Sequence, residues 1–88
     1  MKGRKIYIAD DQTLFRKGLA RLVSSFENVK EVGEAANGKE VLSMIRKSQP
    51  DVVLMDLEMP IMDGVEATQK VITRFPKVKI IVLSMHDS

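Results

Sequence analysis

Apolar runs of strand length alternate with stretches of helical periodicity along this chain, and this alternation limits the fold class more than any other feature. Residues 6–9 form an apolar run rich in β-branched and aromatic side chains. Residues 51–56 and 79–84 form two further runs that are apolar at every interior position, as strands covered on both faces of a sheet must be. Residues 29–32 form a weaker run, which Lys30 and Glu31 mark as an edge strand.

Three helical stretches separate these runs. The first has an apolar stripe at i, i+4, i+7 and i+11, made by Phe15, Leu19, Leu22 and Phe26 and widened by Leu14, Gly18 and Val23. The second follows Asn37 and Gly38, ends before Pro50, and turns Val41, Leu42 and Ile45 inward. The third places Val65, Thr68, Val71, Ile72 and Phe75 on its inner side. Asp11 or Thr13 is the expected cap of the first helix.

The resulting order, β-α-β-α-β-α-β with short connections, predicts one α/β domain over residues 1–88. Strands that alternate with helices form a parallel sheet with helices on its faces, joined by right-handed crossovers. We expect a flavodoxin-like doubly wound sheet with strand order 2-1-3-4, which makes the first and third strands neighbours.

Composition excludes several classes of function. The chain has no cysteine, so disulfides and thiolate metal sites are impossible, and no apolar stretch is long enough to span a membrane. No signal-type apolar stretch follows the basic N-terminus, so we expect a cytoplasmic protein. The formal net charge of +2 is small, and the basic residues are interspersed with acids. We therefore expect neither direct nucleic-acid binding nor membrane association.

Polar side chains stand where three of the predicted strands end. Asp10 and Asp11 follow the first strand, Asp56 ends the third, and Ser84 ends the fourth. Each alone is more often a helix cap or a loop residue. In a parallel α/β sheet, however, the carboxyl ends of neighbouring strands converge, and ligands bind there. Three adjacent carboxylates need a cation, and Mg²⁺ takes oxygen ligands of this kind together with a phosphate.

Longer motifs at these same positions resemble the receiver domains of two-component response regulators. The matching segments are residues 8–11, the run from Asp56 through Met59, Pro60 and Asp63 to Gly64, and residues 81–84. Residues 11–19 and 34–38 are similar to the branch of the family that carries a C-terminal helix-turn-helix DNA-binding domain. That DNA-binding domain is absent from these 88 residues.

The resemblance implies a role for each matching residue. Asp56 would accept a phosphoryl group from a sensor histidine kinase, so the domain would be a phosphoacceptor rather than an enzyme. Asp11, Asp56 and the backbone carbonyl of Glu58 would bind Mg²⁺, with Asp10 acting through a water molecule. Ser84 would bind a phosphoryl oxygen and signal the switch to a transcriptional output domain. Met59, Pro60 and Gly64 would shape the loop after the third strand.

The chain departs from this family pattern after its fourth strand. The family fold continues with a helix, a strand and a further helix, and it places a lysine at the end of that fifth strand. Without that lysine we expect weak phosphorylation of this fragment, or none, since one lost charge partner typically costs about 3 kcal/mol. The fourth strand would also become an open apolar edge, and the first helix would lose a neighbour. We therefore expect a homodimer or a domain swap through one of these surfaces.

Two other functions are compatible with the same residues. A phosphorylation-incompetent dimerisation module would use only the apolar surfaces. A small aspartyl-phosphate phosphohydrolase would use Asp56 as nucleophile and an acid two residues later, which Glu58 could supply. No further acidic motif or cap domain supports the phosphohydrolase.

Overall fold

The structure is a computed structural model, and it describes residues 3–83. Its elements are β1 (Arg4–Ala9), α1 (Thr13–Ser24), β2 (Val29–Ala35), α2 (Gly38–Lys47), β3 (Val52–Asp56), α3 (Gly64–Arg74) and β4 (Lys79–Leu83). The predicted order of strands and helices is confirmed. Ser84 lies outside the described residues. Among residues 3–83, no helix combines the length and apolar character that a membrane span requires.

The four strands form a single parallel sheet in the predicted order β2-β1-β3-β4. The two central strands are the most buried, since Ile8, Ala9, Val53 and Met55 are all fully inaccessible to solvent. The apolar character of the two central strands therefore reflects coverage on both faces of the sheet.

Helices lie on both faces of the sheet. Side chains alternate between the faces along a strand. Tyr7 and Val53 belong to one core cluster with residues of α2 and α3. Ile8 is just as buried but lies outside that cluster, and α1 packs against β1 and β2. Thus α1 covers one face while α2 and α3 cover the other, as expected for a doubly wound fold.

The inner face of α3 agrees with the prediction only in part. Val71 is fully buried, as expected. Val65 and Ile72, also expected inside, are 49% and 61% exposed, whereas Ala67 is fully buried in their place. The reason is the close approach of α2, where a Cβ on Gly38 would lie 3.0 Å from the Ala67 Cβ. The small residues occupy the tight contact between the helices, and the bulkier ones turn outward. Counting large apolar side chains misplaces such a face.

One smaller detail also differs from expectation. The N-cap of α1 is Gln12, without a side-chain cap bond, instead of Asp11 or Thr13. Strand β2 continues past its apolar run, residues 29–32, to Ala35. Gly33 fits there because its missing side chain leaves room for Tyr7 and Met44, either of which would lie 2.8 Å from a Cβ.

Candidate functional site

The pairing of β1 with β3 brings three acidic side chains together. Ala9 pairs with Met55 in the parallel ladder, so the next residues, Asp10 and Asp56, lie side by side at the carboxyl ends of the two strands. One carboxylate oxygen from each of Asp10, Asp11 and Asp56 lies within 4.8 Å of the others. The convergence that the strand order required is therefore present.

Asp10 is the most deeply placed of the three, with 1% of its surface exposed. Its Oδ1 accepts a hydrogen bond from the backbone N–H of Gln12 at 2.8 Å. Its Oδ2 is buried and has no hydrogen-bond partner. A buried carboxylate oxygen left without a donor is costly, and a cation or a cation-bound water would satisfy it. Because this oxygen has no hydrogen-bond partner, the three carboxylates are suited to binding a divalent metal ion.

Asp56 is slightly less buried than Asp10, with 6% of its surface exposed. Its Oδ1 accepts a hydrogen bond from the backbone N–H of Glu58 at 3.2 Å. Burial raises the pKa of the Asp56 carboxyl; the Glu58 N–H opposes this, while the charges of Asp10, Asp11 and Glu58 add to it. The net effect is a raised pKa, which means that the surroundings disfavour the ionised form of Asp56. A neighbouring cation would favour that ionised form.

A cleft of ≈ 560 Å³ opens above Asp56. Its acidic lining residues are Asp11, Asp56, Glu58 and Asp63. Within the part of the chain that the structure describes, no lysine or arginine lines this cleft. The cleft is therefore strongly anionic, and an anionic ligand could enter it only together with a cation.

The loop after β3 is fixed to the sheet by Gly64. The Gly64 N–H donates to the carbonyl of Leu57 at 2.9 Å. A Cβ at position 64 would lie 2.0 Å from the backbone oxygen of Asp56, which no side chain can tolerate. The close backbone approach expected at Gly64 is thus present, and it sets the position of Asp56.

Other residues of this loop hold its shape. The side chain of Met59 is buried, with 8% of its surface exposed, whereas Pro60 is exposed at the rim of the cleft. Asp63 caps α3 by accepting the N–H of Glu66 at 2.9 Å. Ile61 has φ 70°, a left-handed backbone conformation that β-branched residues rarely adopt.

Arg16 is a supporting residue to which the sequence reasoning gave no role. Its Nη1 donates to the backbone carbonyl of Asp10 at 2.7 Å, and its Nε donates to Glu34 Oε1 at 3.0 Å. Lys17 Nζ lies 3.3 Å from the same Glu34 oxygen. The pairing of Ile8 with Glu34 brings β2 beside α1. The sequence did contain a signal for this contact. Two basic residues lie in the first turns of α1, and an acidic residue lies at the end of β2.

Not every residue predicted for the site falls within the described part of the chain. Seven of the predicted residues lie around the cleft or in its loop: Asp10, Asp11, Asp56, Glu58, Met59, Pro60 and Gly64. The hydroxyl expected from Ser84 lies outside the described residues, although β3 pairs with β4 up to Asp56 and Leu83.

Comparison with known proteins agrees with this arrangement. The sequence profile of the response regulator receiver domain matches residues 6–88. The chain is 49% identical over 83 residues to the transcriptional regulatory protein YhcZ of Bacillus subtilis (strain 168), covering 94% of this chain and 39% of the relative. It is 42% identical to the transcriptional regulatory protein DegU of Brevibacillus brevis, covering 94% of this chain and 35% of that protein. The chain thus spans well under half the length of these relatives.

Solved structures are similar as well. The signal receiver domain of the putative response regulator NarL from Mycobacterium tuberculosis superposes with a TM-score of 0.91 at 34% identity, over 100% of this chain and 71% of that one. The response regulator domain of Thermotoga maritima CheB gives a TM-score of 0.87 at 29% identity, over 94% of this chain and 61% of that one.

Proposed function

This chain belongs to the response regulator receiver family, and from that premise we propose that it accepts a phosphoryl group on Asp56 from a sensor histidine kinase. The observation that carries the proposal is the position of Asp56. Its carboxylate lines an anionic cleft, beside the buried Asp10 oxygen that has no hydrogen-bond partner.

Mg²⁺ is the cation that suits this donor set. Asp11, Asp56 and the backbone carbonyl of Glu58 would hold the ion, and Asp10 would act through a bound water. When bound, Mg²⁺ neutralises negative charge on phosphoryl oxygens. Support comes from the all-oxygen character of the cluster and from the absence of any lysine or arginine along the described cleft lining.

Transfer proceeds by nucleophilic attack of an Asp56 carboxylate oxygen on phosphorus. A P–O bond forms, the P–N bond to the phosphohistidine breaks, and the departing imidazole nitrogen takes the electron pair. The Glu58 N–H engages Oδ1 of Asp56, so the other oxygen is the nucleophile. The carboxyl must be ionised to attack, and its raised pKa shows that its surroundings disfavour the charged form, which a nearby cation would favour.

The loop residues and Ser84 complete the proposal. Gly64 holds the Asp56 backbone in place, and Met59 and Pro60 shape the loop that lines the cleft. Ser84, by position in the family motif, would bind a phosphoryl oxygen of the acyl phosphate. Movement of this hydroxyl toward the phosphoryl group would shift an existing equilibrium between two surfaces of the domain. We further propose that this switch controls transcription, from a cytoplasmic protein.

Phosphotransfer from acetyl phosphate, followed by intact mass, tests the proposal. In the presence of Mg²⁺ a small fraction of the wild-type chains should gain one phosphoryl group, since phosphorylation of these 88 residues is expected to be weak, and none should gain one with a chelator present. Asp56→Asn should gain none. Asp63→Asn is the matched control, because Asp63 lines the same cleft and asparagine is an equally good helix cap. Labelling of Asp56→Asn at the wild-type level would refute the assignment.

The same assay addresses the phosphohydrolase alternative. A phosphoacceptor takes up one phosphoryl group per chain, whereas a phosphohydrolase releases phosphate from many molecules of a phosphomonoester. Glu58 lines the cleft two residues after Asp56, so the variant Glu58→Gln distinguishes the two functions. It would abolish phosphohydrolase turnover but leave labelling of Asp56 intact, since the proposed role of residue 58 uses only its backbone.

Self-association is a second proposed property, supported by exposed apolar surface. On β4, Ile81 and Val82 are 53% and 46% exposed, and within residues 3–83 this strand has a neighbour on one side only. On α1, Leu22 and Phe26 are 57% and 51% exposed. A second copy could cover either surface as a homodimer or a domain swap. Light scattering over a wide concentration range tests this, and a strictly monomeric protein would refute it.

A further inference from the structure

A second concave surface lies between α2 and α3, on the far side of the phosphoacceptor loop from the acidic cleft. Its volume is ≈ 370 Å³, and four basic residues surround it: Lys39 and Arg46 from α2, Lys70 and Arg74 from α3. We refer to this surface as the basic groove. Nothing in the proposed phosphotransfer uses it.

The four basic side chains lack acidic partners in the fold. Across residues 3–83, the ion pairs within 4.0 Å join Arg16 and Lys17 to Glu34, and none involves a residue of the basic groove. The chain as a whole carries a net charge of only +2, so four uncompensated cations around one opening are a strong local concentration. Such a concentration raises the local density of anions and steers them toward the surface.

The interior of the groove is apolar. Leu42 forms its deepest part and is 1% exposed, Met62 is half-buried, and Ile61 stands at the rim with 79% of its surface exposed. Ile61 is held outward by a left-handed backbone with φ 70°. That conformation costs an L-residue about 1–2 kcal/mol, and glycine or asparagine would adopt it more readily. An isoleucine kept exposed in a strained conformation is an available apolar contact for a partner.

We propose that the basic groove binds an acidic peptide segment of a partner protein, with one large apolar side chain packed against Ile61 and Met62. Charge complementarity identifies this occupant. An apolar centre within a charged rim is the usual anatomy of a peptide-binding groove. A small-molecule site would instead need fixed polar groups directed inward, and here the charges are on long, mobile side chains.

The spacing of the basic residues limits the partner further. Lys39 and Arg46 are two helical turns apart, about 10 Å along α2, and Lys70 and Arg74 are one turn apart, about 6 Å along α3. A ligand with two acidic groups about 10 Å apart and an apolar residue between them would match the α2 pair. A helix with acids at i and i+7 and a leucine at i+3 or i+4 has this arrangement.

Fluorescence anisotropy with a labelled peptide tests the proposal. The probe is a helical peptide of about fifteen residues with glutamates and leucines on one face, compared with a second peptide in which serines replace the leucines. The double variant R46E/K70E should bind the first peptide at least about tenfold more weakly, a loss of about 1.4 kcal/mol. The double variant K47E/K77E is the matched control: it makes the same total charge change, but neither Lys47 nor Lys77 lines the groove.

The apolar contact has its own pair of variants. Ile61→Ser should weaken binding of the leucine peptide several-fold and leave binding of the serine peptide unchanged. Ile72→Ser, at a comparably exposed apolar position outside the groove, should change neither. Circular dichroism of each variant verifies that the fold is intact, as expected for exposed positions.

Three results would overturn the proposal. An equal loss of binding in K47E/K77E and in R46E/K70E would show attraction by net charge alone. Equal binding of the leucine and serine peptides would remove the apolar contact. Tighter binding of a short DNA duplex than of the peptide, abolished by R46E/K70E, would make the groove a phosphate-backbone surface. None of these outcomes bears on labelling of Asp56, so the proposed phosphotransfer stands or falls separately.

Discussion

Replacing Gly64 with alanine should damage this protein severely, whereas the same change at Gly18 should stabilise it. A Cβ at position 64 would lie 2.0 Å from the Asp56 oxygen, 2.7 Å from the Leu57 Cα and 2.8 Å from the Asp56 carbonyl carbon. All three obstructing atoms belong to the backbone, so no side-chain rotation relieves the contact. The distance from the new Cβ to the Asp56 backbone oxygen must grow to at least 3.0 Å. This change moves either the phosphoacceptor residue or the start of α3.

The cost can be worked from these contacts. Overpacking against a well-packed interior costs about 1–3 kcal/mol, and an obstruction made of backbone belongs at the upper end. Loss of the hydrogen bond from Gly64 to Leu57 adds about 1 kcal/mol. The total of about 4 kcal/mol compares with a free energy of unfolding of about 4–13 kcal/mol for a chain of this length. Gly64→Ala should therefore be largely unfolded if the wild type lies at the lower end of this range, and clearly destabilised if it lies at the upper end.

Gly18→Ala provides the matched control. Gly18 lies within α1, and a Cβ there would have no atom within 4 Å. Alanine is the better helix former, so the variant should gain about 0.5–1 kcal/mol. The comparison cancels the general effect of a glycine-to-alanine change on the unfolded chain.

Urea denaturation followed by far-UV circular dichroism measures both effects. The free energy in water follows from linear extrapolation, with an unchanged slope required for each folded variant. Mg²⁺ titration then reports on the site: Gly64→Ala should lose the stabilisation by Mg²⁺ that Gly18→Ala retains. A midpoint for Gly64→Ala within error of the wild type, or equal shifts for both variants, would refute the steric reasoning.

Three further predictions concern charge and backbone strain. Because the pKa of Asp56 is raised, the Mg²⁺-free protein should lose stability relative to Asp56→Asn as pH rises above 3.8. Mg²⁺ at ten times its Kd should stabilise the wild type by about 1.4 kcal/mol and the variant by less. An equal response of the two proteins to Mg²⁺ would contradict the proposed ligand set. Burial raises the pKa of Glu34, but hydrogen bonds from two basic neighbours outweigh it, and the net pKa is lowered. Glu34→Gln should therefore cost about 0.5–1 kcal/mol above pH 4.5, with the difference in unfolding free energy vanishing as pH falls through the lowered pKa. Ile61→Asn should stabilise by about 1 kcal/mol because asparagine tolerates positive φ, while Ile72→Asn, in a helix, should not; thermal unfolding that ranks them the other way would exclude strain at Ile61.

The strand order and the acidic cluster could be predicted from the sequence because both follow from topology. Buried parallel strands are recognisable as unbroken apolar runs, and their carboxyl ends must converge at one edge of the sheet. Asp10 and Asp56 could therefore be placed together although they are distant along the chain. The contacts themselves, such as the orphaned oxygen of Asp10, depend on side-chain positions that no periodicity encodes.

Packing between helices was less predictable. The inner face of α3 is set by Ala67 and by its contact with Gly38, and small residues carry little weight in a pattern of large apolar side chains. The close approach of the Tyr7 ring to Gly33 joins β1 to β2, and the apolar pattern does not predict it. Each of these features joins residues from two elements, so it becomes visible only when the elements are assembled.

The geometry around Arg16 explains how the three carboxylates stay available to a metal ion although a guanidinium cation lies close to them. Arg16 donates to the backbone carbonyl of Asp10 and not to its carboxylate, and Glu34 engages its other donor. Glu34 thus holds the guanidinium against the backbone, where it supports the end of β1 without neutralising the carboxylate oxygens. If Glu34 were replaced by glutamine, that restraint would weaken and the guanidinium could turn toward the orphaned oxygen of Asp10. Glu34→Gln should then weaken Mg²⁺ binding, measured by calorimetry, although residue 34 contacts no ion; unchanged affinity would exclude this role for the pair.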